Sequence, residues 1–124
     1  EKPKGLSLIH TDPVANNIVI SGQTALLIDW QSPALGDPME DLSHFLSPAM
    51  QRLYRGKILN AKQQKQVLNA YQAQYPRFDF ARFERLYPHY SWRIAAYCLW
   101  QKLQGNSDYS DAFDQEVTAL KVKA

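Results

Sequence analysis

Two periodicities of hydrophobic and polar residues divide the 124-residue chain. Its first third alternates short apolar runs with clusters of polar residues, a pattern that is typical of strands joined by loops. We predict strands at 6–9, 17–21 and 24–29, the last two joined by a turn at Gly22-Gln23. Beyond residue 38 the apolar positions recur every three or four residues, which predicts helices. The predicted fold class is therefore α+β, mostly α, with a small β hairpin region followed by a helical bundle.

Proline and cap residues place the first two helices. Pro38 suits a first helical turn, and Asn60 suits the N-cap of a helix that runs to about residue 75 and ends before Pro76. The apolar spacing predicts buried faces that carry Leu42, Phe45 and Leu46 in the first helix and Val67, Leu68 and Tyr71 in the second.

Three further helices are predicted towards the C-terminus. A short one covers 79–87, Pro88 opens a long one that continues to about residue 103, and the last begins at Ser107 or Asp108. In the long helix we expect a buried stripe of Trp92, Ala95, Ala96, Leu99, Trp100 and Leu103. In the last helix the expected stripe is Ala112, Phe113, Val117 and Leu120.

The composition favours one domain over residues 1–124, since 45% of the residues are hydrophobic and 12% are aromatic. The single cysteine, Cys98, cannot form an internal disulfide, which suits a reducing compartment such as the cytoplasm. The apolar runs are far shorter than the roughly 20 residues that a membrane span needs. A net charge of +2, with basic residues spread along helices, favours solvated faces over a nucleic-acid surface. We therefore expect neither a membrane nor a nucleic acid as a partner.

Acidic residues are concentrated where basic ones are missing. Residues 5–51 contain no Lys or Arg, yet they include Asp12, Asp29, Asp37, Glu40 and Asp41. Carboxylates that gather without a nearby cation tend to take up protons or to hold a metal ion, because like charges repel at close range. This part of the chain is therefore the candidate site.

Polar residues interrupt the apolar runs of this region in a fixed order. His10, Asp12 and Asn17 form the pattern H-x-D-x-x-x-x-N, and the strand pair that follows ends in Asp29-Trp30. The sequence GDPMEDL comes next, at 36–42. This order resembles the catalytic and metal-binding segments of the kinase fold. Over residues 8–46 it looks like the aminoglycoside phosphotransferase and choline kinase superfamily, whose members typically read H-G-D-x-x-x-x-N, I-D-W and G-D-P-x-x-D-L.

The resemblance implies a phosphotransferase that moves the γ-phosphate of ATP or GTP to a hydroxyl of a small molecule. Asp12 would be the catalytic base, which accepts the hydroxyl proton or its hydrogen bond. Asn17 and Asp29 would hold Mg²⁺ through oxygen atoms, the ligands that this ion prefers. The implied partners are the nucleotide and a small acceptor, for which the relatives suggest a cation similar to an aminoglycoside, choline or thiamine.

Other residues would support the site. The resemblance implies that His10 braces the loop and the metal-binding segment, and that Asp41 accepts hydrogen bonds from loop amides. Asp37 would do the same or cap the helix that follows it. Because aromatic faces attract cations, we expect Trp30 or a residue of the helix around Trp92 to line the acceptor groove.

Three loop residues depart from the family pattern. Thr11 replaces the common Gly, Val14 replaces a frequent His, and Asn16 stands where Gly is usual. None of the three removes a group that the chemistry requires. Because Asn tolerates a left-handed backbone better than most residues, we expect position 16 to make the turn that Gly makes in relatives.

Other parts of the kinase template have no counterpart in the sequence. No Gly-x-Gly occurs, and the H-x-D motif begins nine residues after Glu1. We interpret the chain as a C-terminal lobe whose N-terminal lobe is absent, with the catalytic loop and metal-site hairpin at 6–37 and a helical subdomain at 38–124. By itself it is expected to be folded but inactive, and to self-associate through strand surfaces that the missing lobe would cover.

Two other interpretations stay open from the sequence alone. A non-catalytic helical interaction module from a degenerate kinase would explain the missing lobe but not the retained motif residues. A metal-dependent hydrolase would use His10 and Asp12, but it would leave Asn17 and the GDPMEDL sequence unexplained. His44 or His89 could add a metal ligand to such a site. We interpret both as helix-surface or core histidines instead.

Overall fold

A computed structural model describes residues 2–3 and 5–123, and it confirms the predicted α+β fold, mostly α. The strands are β1 (Ser7–Ile9), β2 (Ile18–Ser21), β3 (Thr24–Leu27) and β4 (Ala34–Gly36). The helices are α1 (Pro38–Leu46), α2 (Pro48–Arg55), α3 (Ala61–Gln74), α4 (Phe80–Leu103) and α5 (Asp108–Lys123). None of the described helices has the length and apolar character needed to cross a membrane.

β2 and β3 form the predicted antiparallel hairpin, in which Ile18 lies opposite Leu27. The turn contains Gly22 at φ +60°, a conformation that glycine adopts without steric cost. β3 ends at Leu27, two residues earlier than predicted. The reason is local, because Asp29 adopts a left-handed backbone with φ +61° that no regular strand contains.

β1 pairs in antiparallel fashion with β4, a strand that the sequence analysis missed. Pro33, Gly36 and Pro38 mark that stretch as a loop, and a strand of three residues has no visible alternation. Gly36 lets the two strands approach closely, since a Cβ at this position would lie 2.5 Å from Cδ1 of Ile9 and that buried side chain would have to move. This second sheet anchors the start of the H-x-D loop next to the start of α1.

Capping residues set the helix boundaries in the first half of the bundle. Asn60 and Gln63 form a reciprocal capping box at the start of α3, with N–H to side-chain oxygen distances of 2.9 and 3.0 Å. The predicted helix start is therefore confirmed. Ser47 separates α1 from α2, which the sequence analysis did not resolve as its own helix. The Ser47 hydroxyl oxygen accepts the N–H of Met50 at 3.2 Å, and Pro48 occupies the first helical position.

Pro88 lies inside α4, so the prediction that it opens a new helix is wrong. A proline in a helix removes one N–H donor and leaves the carbonyl four residues earlier without its usual partner. Packing next to the proline favours continuity, since Tyr87 and Ser91 are both buried. The Tyr87 hydroxyl also donates to the carbonyl of Leu46 at 3.3 Å, which ties this part of α4 to α1.

The buried face of α4 differs from the predicted stripe, which is therefore wrong in most positions. Ile94, Ala95 and Cys98 are buried, whereas Trp92, Trp100 and Leu103 are exposed. Small side chains let helices approach closely, and α4 uses this face against α5 and α2. Apolar residues occupy both faces of α4, so periodicity alone could not identify the buried one.

Two apolar clusters fill the interior. The first joins the H-x-D loop to α2, α4 and α5 through Val14, Ala49, Met50, Ile94, Cys98 and Ala112. The second joins α1 to Phe78 and to the first half of α4, and its helical members are Met39, Leu42, Leu46, Phe83 and Tyr87. Val14, which stands where the kinases that the sequence resembles often have His, thus serves as the apolar anchor of the loop.

The hairpin leaves apolar side chains in solvent. Val19, Ile20 and Leu26 are 42%, 68% and 53% exposed. Exposed apolar strands favour association with other chains. Self-association of this chain therefore stays a prediction, and the hairpin is the surface we expect to mediate it.

Light scattering over a range of concentrations tests this prediction, and we expect dimers or larger species. The paired variant Val19→Glu/Leu26→Lys should stay monomeric, because the two positions face each other across the hairpin and opposite charges preserve strand pairing. Gln72→Lys, on an exposed position of α3, is the matched control and should associate as the original chain does. A monomeric original chain at high concentration would contradict the prediction.

Candidate functional site

One carboxylate fixes the H-x-D loop to α1. Asp41 accepts a hydrogen bond from the N–H of His10 at 2.6 Å on Oδ2, and one from the N–H of Thr11 at 2.9 Å on Oδ1. This is the contact that the resemblance implies for Asp41. Asp41 lies in the first turn of α1, where the helix dipole also favours a negative charge. Two charge-assisted hydrogen bonds from one side chain thus set the loop's position on the helix.

His10 is buried and joins the loop to the segment after β3. Its Nε2 donates to the carbonyl of Ile28 at 2.7 Å, and its Nδ1 accepts the N–H of Asp12 at 3.2 Å. These contacts define the tautomer with hydrogen on Nε2. The ring packs edge-on against Trp30, with ring centroids 4.5 Å apart. Both ring nitrogens are engaged by the main chain, which argues against His10 as the metal ligand of a hydrolase.

Thr11 adopts a left-handed backbone with φ +74°, an unusual conformation for a β-branched residue. The Asp41 contact holds its N–H, and its Oγ1 donates to the carbonyl of Ser32 at 2.9 Å. Position 11, where the family pattern has Gly, is therefore the one that needs glycine-like freedom. Asn16 lies in a 3₁₀ turn at 15–17 without a positive φ, so the predicted left-handed turn at Asn16 is wrong.

Asp12 and Asn17 meet within the loop. Nδ2 of Asn17 donates to the main-chain carbonyl of Asp12 at 2.9 Å and lies 3.3 Å from the carboxylate atom Oδ2 of Asp12. Asn17 is buried, whereas the Asp12 side chain is 58% exposed. Because the amino end of the Asn17 amide is engaged by Asp12, its Oδ1 is the end left for another ligand.

Asp29 lies near Asn17 because the hairpin closes on the loop. The N–H of Ile28 donates to the carbonyl of Asn17 at 2.9 Å, which places Asp29 one residue from that contact. The left-handed φ of Asp29 turns the chain out of β3, and the residue is exposed to solvent. The fold thus brings Asp12, Asn17 and Asp29 to the same end of the hairpin.

The oxygen atoms of Asn17 and Asp29 suit Mg²⁺ better than zinc. Magnesium prefers hard oxygen ligands and is usually bound by one or two protein carboxylates together with substrate phosphates and water. Within residues 2–3 and 5–123, no group of three or more His, Cys, Asp or Glu side chains is arranged to hold a metal ion. Asn17 and Asp29 together offer two oxygen ligands, a number that fits an ion whose remaining ligands are phosphates and water.

Asp37 caps α1 and pairs with a buried arginine that the sequence analysis did not identify. Its Oδ1 accepts the N–H of Met39 at 3.1 Å, and its Oδ2 lies 2.6 Å from Nη2 of Arg82. The Arg82 and Asp37 side chains are 4% and 12% exposed. Of the two roles considered for Asp37, the structure therefore shows the helix cap. The buried pair fixes α4 to the start of α1, the helix that carries Asp41.

His44 also reaches this site from α1. Its Nε2 lies 3.3 Å from Oδ1 of Asp12. Burial lowers the pKa of His44 below its ordinary value of 6.5, although the nearby Asp12 and Asp41 carboxylates oppose that shift. The sequence analysis treated His44 as a surface or core residue. The missed signal was its spacing from Asp41, since residues three apart are neighbours on a helix surface. His89, by contrast, is exposed on α4.

A groove of about 440 Å³ opens beside Asp12 and His44, between α2 and α4. Trp30 packs on His10 and is not among the residues that line this groove. Trp92 is itself exposed, but the helix around it contributes Arg93, Ile94 and Tyr97 to the lining. The lining residues other than Asp12 and His44 are Thr11, Met50, Tyr54, Arg93, Ile94 and Tyr97.

Comparison with known proteins gives one match. The sequence profile described as the phosphotransferase enzyme family matches residues 2–115, which is nearly the whole chain. No curated protein and no solved structure matches significantly. The matched region contains the H-x-D loop, the hairpin, α1 and the groove.

Proposed function

Because the chain belongs to the phosphotransferase enzyme family, we propose that it forms the metal-binding and acceptor-binding part of a kinase. This enzyme transfers the γ-phosphate of ATP or GTP to a hydroxyl of a small molecule. The observation that carries the proposal is the grouping of Asp12, Asn17 and Asp29 at one end of the hairpin, beside the loop that Asp41 holds.

Asp12 receives the acceptor hydroxyl. Its exposed carboxylate can accept the hydroxyl proton, or its hydrogen bond, and hold the oxygen in line with the phosphorus atom. The main chain around it is held by the contacts of Val14, His10 and Asn17 with the Asp12 backbone, so only the side chain has to adjust. Such a residue typically contributes about 10²–10⁴-fold to turnover.

Asn17 and Asp29 hold the magnesium ion of the nucleotide through their side-chain oxygens. When bound, this ion neutralises charge on the phosphates. Asn17 is buried and oriented by Asp12, so it presents a fixed oxygen. Asp29 is exposed, so its carboxylate can adjust to the nucleotide.

The phosphates also need a covering loop and a cation. In the kinase template a glycine-rich loop and a strand lysine paired with a helix glutamate supply them. The 124 residues contain no Gly-x-Gly. We therefore propose that a second lobe supplies these parts, and that this chain by itself does not turn over substrate.

The groove limits the charge of the acceptor. Asp12 is the one carboxylate among its described lining residues, and Arg93 adds a guanidinium that lies 2.8 Å from Oε1 of Glu40. A substrate with several ammonium groups needs several carboxylates to replace its hydration. Tyr54 and Tyr97 offer aromatic faces that suit a ring or a single ammonium group. We infer a hydroxyl compound with at most one positive charge, which favours a choline- or thiamine-like acceptor over an aminoglycoside.

The division of roles between the two acids predicts different effects on metal binding. Asp29→Asn should weaken binding of magnesium and nucleotide at least about ten-fold, because it removes a charged ligand. Asp12→Asn should change that affinity much less, since Asp12 contacts the acceptor instead. Isothermal titration with Mg·ADP in the protein that contains both lobes measures the difference.

Glu84→Gln, at an exposed acid on α4, is the matched control for loss of one negative charge and should bind as the original protein does. Equal losses in Asp29→Asn and Asp12→Asn would contradict the assigned roles. Unchanged binding in Asp29→Asn would remove Asp29 from the metal site.

A further inference from the structure

His44 lies next to the proposed catalytic base, Asp12. It lies on the same helix as Asp41, which fixes the loop, and its Nε2 is buried 3.3 Å from Oδ1 of Asp12. The imidazole and the carboxylate are too poorly aligned for a well-formed hydrogen bond in this structure. Catalytic hydrogen bonds are often long or misaligned without substrate and tighten when substrate binds. The exposed Asp12 side chain has the freedom to make that adjustment.

Charged groups surround His44 from three elements. Asp12 approaches from the loop, Asp41 lies one turn earlier on α1, and Arg93 comes from α4. Burial is the largest influence and lowers the pKa of His44, with a smaller contribution from Arg93, while the two carboxylates raise it. The net direction is downward, so the imidazole is uncharged at neutral pH. An uncharged imidazole can donate one N–H to a carboxylate without adding a full positive charge.

We propose that His44 is a positioning residue, whose Nε2–H holds Oδ1 of Asp12 so that the carboxylate faces the acceptor groove. This role rests on the proposed function, because it acts through Asp12. Asn17 lies 3.3 Å from the other oxygen, Oδ2. Once the His44 contact tightens on substrate binding, His44 and Asn17 restrain the carboxylate from opposite oxygens. Such restraint keeps the acceptor hydroxyl aligned with the phosphorus atom.

The uncharged state of His44 matters for proton acceptance. A protonated imidazole beside Asp12 would stabilise the carboxylate and make it a weaker base. The pKa of His44 lies below 6.5, so the uncharged donor is present at neutral pH and is lost only as the pH falls through the lowered pKa of this residue. Turnover should therefore decline on the acid side as His44 takes up a proton.

The contact can be tested in this chain without activity, by NMR titration of the histidine rings. In the original chain the pKa of His44 should lie below 6.5. In Asp12→Asn it should fall further, because the neighbouring carboxylate that raises it is gone. The exposed His89 serves as the internal reference, and its ring signals should be the same in both proteins. An unchanged pKa of His44 in Asp12→Asn would overturn the contact.

The positioning role is tested in the protein that contains both lobes. His44→Ala should lower kcat about ten-fold with little change in the KM for nucleotide, because alignment of the acceptor is lost but metal binding is not. His44→Gln can place an amide N–H near the same point, so it should recover most of kcat. The kcat of His44→Gln should also decline less at acid pH than that of the original protein, because glutamine cannot take up the proton that His44 does. His89→Gln is the matched control and should resemble the original protein.

Two results would be decisive against the proposal. An active original protein whose kcat and pH profile are unchanged in His44→Ala would overturn the positioning role while leaving the proposed function intact. An original protein that transfers no phosphate to any hydroxyl acceptor would overturn the proposed function, and the positioning role with it.

Discussion

Replacing Asp12 with alanine is expected to lower turnover of the two-lobed protein at least about a hundred-fold, with little loss of stability. The large kinetic effect follows from the loss of the group that accepts the hydroxyl proton or its hydrogen bond. The small thermodynamic effect follows from the structure. The Asp12 side chain is 58% exposed, and its two side-chain contacts, to His44 and Asn17, are both 3.3 Å long.

The shorter hydrogen bonds of residue 12 are made by its main-chain carbonyl, which remains in the alanine variant. The Asp12 carbonyl accepts from the N–H of Val14 at 2.9 Å and from Nδ2 of Asn17 at 2.9 Å, and its N–H donates to His10. Thermal unfolding of Asp12→Ala should therefore match the original within about 0.5 kcal/mol, as for most exposed positions. Near-normal turnover in this variant would reject Asp12 as the catalytic base.

Replacing Glu116 with alanine is expected to lower the free energy of unfolding by about 2–4 kcal/mol. Glu116 is 0% exposed on α5, and its Oε2 accepts from the Ser47 hydroxyl at 2.6 Å and from the N–H of Ala49 at 3.0 Å. Alanine would remove the acceptor of two buried donors at the start of α2 and leave a cavity. The buried Oε1 has no hydrogen-bond partner within the described residues, so relief of that cost offsets part of the loss.

Urea-induced unfolding of the single chain measures the effect. Glu116→Gln should be less damaging than alanine, because its amide oxygen can replace Oε2 as an acceptor while the volume is kept. Asp114→Ala removes an exposed acid from the same helix and should change stability by no more than about 0.5 kcal/mol. If Glu116→Ala also lowers the free energy of unfolding by no more than about 0.5 kcal/mol, the buried carboxylate does not hold α2 to α5.

The parts of the fold that were predicted correctly depend on contacts between residues close in sequence. Asn60 caps α3 through Gln63, three residues away, and the hairpin follows from a two-residue turn with Gly22. The grouping of Asp12 with Asn17 has the same origin, because five residues of loop bring them together. Residue type and spacing in the sequence are sufficient to predict contacts of this kind.

Several of the parts that were predicted wrongly or missed depend on distant contacts. Arg82 pairs with Asp37 across 45 positions, and Glu116 contacts Ser47 across 69. Spacing in the sequence cannot identify either pair, because the chain contains many other polar side chains that could serve as partners. The buried face of α4 was set by close packing on α5, which favours Ala95 and Cys98 over the larger Trp92. The left-handed backbone of Thr11 likewise depends on distant partners, since Asp41 and Ser32 hold this residue through hydrogen bonds.

The most direct test of the central claim is phosphorus NMR of the two-lobed protein with Mg·ATP or Mg·GTP and hydroxyl acceptors of different charge. The account predicts a new phosphate-ester signal with a neutral or singly charged acceptor, equal loss of the γ-phosphate signal, and neither change in Asp12→Ala. Nucleotide loss without an ester signal in the original protein, or an ester signal that Asp12→Ala forms equally fast, would contradict it.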